Sequence, residues 1–129
     1  MSKTIINSDK APKPVGPYNH SVLVNGILFI SGQIALDPSN GNLIQDSIEN
    51  ETHQVLKNLG AILEEAGCSF EDVVKCSVFV SDMGMYSRIN AVYAEYFKED
   101  TSPARELVEV ANLPKYVNVE ISAIASKSS

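Results

Sequence analysis

The stretch Val117-Asn118-Val119-Glu120-Ile121-Ser122-Ala123-Ile124-Ala125 decides how this chain folds. Its period is two: Val117, Val119, Ile121, Ala123 and Ala125 fall on one side, and Asn118, Glu120, Ser122 and Ile124 on the other. Successive side chains of a β-strand point to opposite faces, so this is a strand with one apolar and one mixed face. The mixed face keeps Ile124. A strand read from Ala104 to Ala111 likewise sets Val108 and Val110 opposite Arg105 and Leu107. A sheet with apolar residues on both faces needs a cover on each.

The elements upstream supply one of those covers. Ser21-Val22-Leu23-Val24 and Ile27-Leu28-Phe29-Ile30 flank Asn25-Gly26, the strongest short hairpin signal, and the turn cluster Asp37–Asn42 then leads the chain out of the sheet. Ile48, Thr52, Val55, Leu56, Leu59, Ile62, Leu63 and Ala66 recur at three- and four-residue spacing, a single apolar stripe on a helix that Gly67 ends. Val73 to Val80 is rich in β-branched residues and reads as a buried strand. Tyr86, Ile89, Val92, Tyr93, Tyr96 and Phe97 predict a second amphipathic helix, Ser102-Pro103 breaks the chain, and Leu113-Pro114-Lys115 makes the last turn. The order ββ-α-β-α-ββ, with room for a short strand before it, predicts an α+β fold with two helices on one face of a mixed sheet. Two helices leave the other face bare, so a homo-oligomer is expected.

Composition narrows the function. A chain of 129 residues and 14.0 kDa is read as a single domain, 1–129, large enough for a core without disulfide or metal staples. Ten Lys+Arg against sixteen Asp+Glu give a net charge of −6, and only Arg88 and Arg105 are arginines. With no basic stripe, a nucleic-acid partner is not expected. The apolar runs fall short of a membrane span, and Met1-Ser2-Lys3-Thr4 leads into Ile5-Ile6 with no signal-peptide core. Cys68 and Cys76 fit no zinc spacing with His20 or His53, and read as free thiols of a reducing cytoplasm. No metal-ligand cluster and no glycine-rich phosphate loop is visible.

Among the candidate site residues, Arg105 is the most informative. A buried guanidinium must be paired, because its charge cannot be neutralised. Spacing alone favours a structural ion pair with Glu109 on the same strand face, or with Glu120 from a neighbouring strand. The sharper reading is a fork that grips a substrate carboxylate. Glu120, mid-strand among Val119, Ile121 and Ala123, has either a pairing or an acid–base role. Tyr18 follows Gly16-Pro17 in a stiff turn, as a packing aromatic or a pocket hydroxyl. Ser31 reads as a hydrogen-bonding pocket residue, and Asn90 as an exposed amide or a ligand contact. His20 at a strand start and His53 on the flank of the first helix are both expected to be solvated.

Together the pieces Gly16-Pro17-Tyr18, Phe29-Ile30-Ser31-Gly32-Gln33-Ile34, Val78-Phe79-Val80-Ser81-Asp82, Asn90-Ala91-Val92-Tyr93, Pro103-Ala104-Arg105, Val108-Glu109-Val110-Ala111 and Val119–Ala125 stand in an order that resembles the Rid family. These are the reactive intermediate deaminases, formerly L-PSP endoribonucleases, and Pro-Ala-Arg resembles their RidA branch. The resemblance implies a chorismate-mutase-like α+β fold and a homotrimer with clefts between subunits. It also implies hydrolysis of 2-enamines and 2-imines, released by pyridoxal-phosphate dehydratases, to 2-oxo acids and ammonia, without a cofactor. By position, Arg105 would bind the substrate carboxylate and Glu120 would position or activate water. Tyr18, Ser31 and Asn90 would line the cleft, Gly32 would allow close backbone approach, and residue 107 would contribute its backbone carbonyl. Where many RidA members have Ser-Cys, this chain has Glu106-Leu107; alternation turns Glu106 away from Arg105, and altered substrate preference is expected. Two further readings are a 2-oxo acid sensor without turnover and the family's older ribonuclease role.

Overall fold

The computed structural model describes residues 2–127; Met1, Ser128 and Ser129, which the single-domain reading includes, lie outside the described residues. Eight regular elements follow one another: β1 (Thr4–Ile6), β2 (Ser21–Val24), β3 (Ile27–Gln33), α1 (Ile48–Glu65), β4 (Val73–Val80), α2 (Tyr86–Tyr93), β5 (Ala104–Glu109) and β6 (Val119–Ser126). The strands form one six-stranded sheet in the order β1-β2-β3-β6-β4-β5. Only β4 and β5 pair in parallel; every other neighbour is antiparallel. The strand that opened the sequence reading is therefore central, joining the N-terminal meander to the β4–β5 pair.

Local chemistry explains the elements. Asn25 (φ 53°) and Gly26 (φ 77°) both take the left-handed conformation that a two-residue hairpin turn of matching twist demands. Ser47 caps α1 by accepting the Asn50 N–H at 3.0 Å, and Glu49 and Glu51 favour its positive end. A Schellman motif closes the same helix: the Gly67 N–H donates to Glu64 and the Cys68 N–H to Leu63. Helix α2 is shorter than the aromatic spacing predicts. Beyond Tyr93 the chain tightens into bonds three residues apart, and Phe97 turns inward to pack on Tyr93 and Phe70.

Both helices cover one face. Leu28 and Ile30 of β3, Cys76, Val78 and Val80 of β4, and Val119, Ile121, Ala123 and Ala125 of β6 are buried with Leu56, Leu59, Ile62 and Leu63 of α1 and Ile89 and Val92 of α2. The register aligns Ile5, Val22, Phe29 and Ile124 in one row on the opposite face. Phe29 there stays 46% exposed and Val108 40% exposed. Within one chain this second apolar face has no cover.

Candidate active site

The functional side chains fall into two groups on opposite faces of the sheet. On the uncovered face, Glu120 lies in a row with Phe79 and Val108. Pairing between β3 and β6 slips by one residue between Ile30 and Gln33, a bulge at Ser31-Gly32 that bends the strand. The Glu120 carboxylate settles over Gly32: a methyl built there would lie 2.9 Å from Cδ and 3.1 Å from Cγ, so any side chain would displace it. Tyr18, Gly32 and Glu120 line one cavity of about 130 Å³, together with Pro12, Val15 and Lys115. Burial raises the Glu120 carboxyl above its ordinary value. Ser31 lines the neighbouring groove, its hydroxyl donating to the Asn19 carbonyl at 2.7 Å.

Two buried polar residues hold this half in place. His20 is only 2% exposed, contrary to the expected solvated position. Its Nδ1 accepts the Ser8 N–H at 3.0 Å, which leaves Nε2–H to donate to the Pro12 carbonyl and pins the loop that carries Tyr18. Glu51 of α1, 1% exposed, accepts from both the backbone N–H and the Nδ2 of Asn118 at 2.8 Å, fixing the lead-in to Glu120. Just before it, Lys115 (φ 55°) and Tyr116 (φ 53°) are two successive left-handed residues without glycine, a strained turn beside the cavity. His53 is half-buried rather than solvated, bonded to the Tyr96 hydroxyl at 2.9 Å, and lines neither the Glu120 cavity nor the Arg105 cavity.

The second group sits on the helix-covered face at the β5 edge. Arg105 stands opposite Cys76 in the register, and Cys76 opposite Ala123. Its Nη1 donates to Asn90 Oδ1 at 2.9 Å and its Nη2 to the Tyr86 hydroxyl at 3.1 Å. Its Cζ lies 4.8 Å from the centre of the Tyr93 ring. Neither expected ion pair forms. Glu109 accepts the Met83 N–H at 2.7 Å at the far end of β5, and Glu120 is on the other face with β4 between. Among the described residues, Arg105 has no carboxylate partner. A cavity of about 520 Å³ flanks the guanidinium, walled by Asn90, Tyr93, Phe97 and Pro103. Glu106 does point away, accepting from Ser77 and paired with Lys75 at 3.2 Å. Leu107 packs its side chain against the core.

One chain thus keeps Tyr18, Ser31, Gly32 and Glu120 together, and Asn90 with Arg105, but does not bring the two sets to one place. Tyr86 and Tyr93 enter the sequence reading only as part of the stripe of the second amphipathic helix. Their spacing with Asn90, at i, i+4 and i+7, was the signal that all three share a helix face. Among the described residues no cluster of metal-ligating side chains occurs, and no helix is long and apolar enough to cross a membrane.

Comparison with known proteins bears on the family and the fold. A RutC family protein of Synechocystis is 52% identical over 126 residues, covering 97% of each chain. The human protein named 2-iminobutanoate/2-iminopropanoate deaminase is 44% identical over 125 residues, covering 97% of this chain and 90% of its own. Among solved structures, E. coli TdcF with bound serine superposes with a TM-score of 0.91 at 38% identity, over 97% of this chain and 99% of that one. Yeast Mmf1 gives 0.94 at 34% identity, over 98% and 100%. A family profile described as Endoribonuclease L-PSP matches residues 8–127. On the shared sequence and fold, the chain belongs to the Rid family, also called the L-PSP or RutC family.

Proposed function

We propose that this protein is a RidA-type 2-imino acid deaminase, converting 2-iminobutanoate and 2-iminopropanoate with water to the 2-oxo acids and ammonia. The observation that carries the reading is the pairing of an arginine without an acid partner and a half-buried, raised carboxyl, set on opposite sheet faces. Side chains so placed meet only when the uncovered face of one copy packs against another. We therefore assign a homotrimer whose clefts join Arg105 of one subunit to Glu120 of the next.

In that cleft Arg105 forks the substrate carboxylate. Glu120 takes a proton from the water that attacks C2, returns it to the amine nitrogen of the carbinolamine, and accepts the remaining hydroxyl proton as the C2–N bond breaks to leave the 2-oxo acid and ammonia. A protonated imine is already electrophilic, so orientation and one proton relay suffice, and no cofactor is required. Tyr18, Ser31 and Gly32 shape the pocket around C2, and Leu107 offers its backbone carbonyl. Two relatives support the substrate class: the human deaminase by its name, and E. coli TdcF by the small amino acid it holds. The substrates would come from pyridoxal-phosphate-dependent dehydratases. Two cysteines outside any disulfide suit the cytoplasm.

The test adds purified protein to a threonine or serine dehydratase reaction and follows 2-oxobutanoate or pyruvate. Wild type accelerates release and Arg105→Ala does not; equal acceleration by both removes the site. Saturable 2-oxobutanoate binding without acceleration marks a sensor instead. RNA cleavage that survives Arg105→Ala and Glu120→Ala belongs elsewhere, as the net charge of −6 already argues.

A further inference from the structure

Arg105 is held, yet its charge is unmet. A guanidinium carries five N–H donors and stays charged, so it is normally found against a carboxylate. The direct partners of Arg105 are neutral: the Asn90 amide oxygen, the Tyr86 hydroxyl, and the faces of Tyr93 at 4.8 Å and Tyr86 at 5.8 Å; Glu99 lines the same cavity but makes no ion pair with it. Burial pushes the Tyr93 phenol far above its ordinary value, with Cys76 adding to the rise, so that ring remains uncharged. Its hydroxyl is buried without an oxygen or nitrogen partner among the described residues.

We infer that Tyr86 and Tyr93, with Asn90, are positioning residues that form an uncharged cradle for Arg105. This deepens the deaminase reading and rests on it. Amide, hydroxyl and ring faces fix the plane of the guanidinium before substrate arrives, which removes the ordering cost of a long side chain from the binding step. Because none of the three is anionic, no direct partner neutralises the charge that would meet the substrate carboxylate. The two tyrosines act differently. Tyr86 works through its hydroxyl, which takes one N–H of Nη2 and sets the fork angle. Tyr93 works through its ring, whose centre lies 4.8 Å from Cζ.

Asn90→Asp tests the electrostatic half, because it places a carboxylate where the amide oxygen now lies 2.9 Å from Nη1. The expected result at pH 7 is a rise of about tenfold in KM and in the calorimetric Kd for 2-oxobutanoate, with an unchanged or higher melting temperature. Tyr86→Phe should raise KM by about three- to tenfold with kcat within about twofold, and Tyr93→Leu should do the same. A structural role alone would not separate KM from kcat at constant melting temperature. Wild-type KM and Kd in both Asn90→Asp and Tyr86→Phe would overturn the cradle. Should wild type hydrolyse no imine, the deaminase reading falls on its own, and the Arg105 guanidinium NMR signals judge the cradle. Separate Nη resonances that merge in Tyr86→Phe support it, and spectra unchanged by that substitution refute it.

Discussion

The chain's two arginines meet opposite fates. Arg88 reaches from α2 to α1 and grips Glu49 with Nε and Nη2, both at 2.7 Å. Arg105, on the strand that follows α2, meets only an amide and two tyrosines. The same fork is saturated in one place and left wanting in the other. A saturated, solvated pair contributes little beyond tying two helices together. An arginine held without an anion is, on the proposed reading, the place where the substrate carboxylate binds. Residue type and count could not separate the two; their partners do.

The comparison breaks most readily in the dehydratase-coupled assay. Arg105→Ala should lower kcat/KM by about a thousandfold, while Arg88→Ala should stay within about twofold of wild type. An equal loss in both would end the distinction. Arg105→Lys keeps the charge and loses the fork, and should cost about ten- to a hundredfold, chiefly in KM. If lysine serves as well as arginine, planar recognition is not what the cradle provides.

Acid titration sharpens the contrast through the carboxylates. The hydrogen bond from Arg88 holds the Glu49 carboxyl down at about 2 from its ordinary 4.5. A lowered folded-state value means the pair stabilises the fold fully above about pH 4.5 and loses that contribution as pH falls through about 2. Melting curves of wild type and Glu49→Gln should therefore differ at neutral pH and converge at the acid end. Glu120 behaves in the opposite sense. Burial raises its folded-state value, so wild type loses stability relative to Glu120→Gln as pH climbs from 4.5 through the raised value. Above that window Glu120→Gln should melt a few degrees higher than wild type while being the slower deaminase. The smallest effect is the melting shift of Arg88→Ala, which 1 M salt should nearly abolish in wild type as well.

Much of this was legible beforehand because the signals are local. The α1 stripe and its Gly67 end, the Asn25-Gly26 hairpin and the β6 alternation each depend on a few successive residues. The misreadings were non-local. Glu120 was a candidate partner for Arg105 because alternation gives each strand two faces without saying how strands align; β4 lies between them, and the register puts the two side chains on opposite sides. His20 was expected in water because its partners, Ser8 and Pro12, arrive from a loop with no periodic pattern. Tyr86 and Tyr93 look like ordinary helix aromatics until β5 brings Arg105 between them.

A β-sheet passes no side chain through itself, and that opacity has a consequence in heredity. Damage at Arg105 and damage at Glu120 strike different faces, so in the proposed trimer they spoil different partners in each cleft. When both kinds of chain are made together and mix at random, about a quarter of the clefts join an intact Arg105 to an intact Glu120. Two alleles, each inactive by itself, would then complement one another in the same cell.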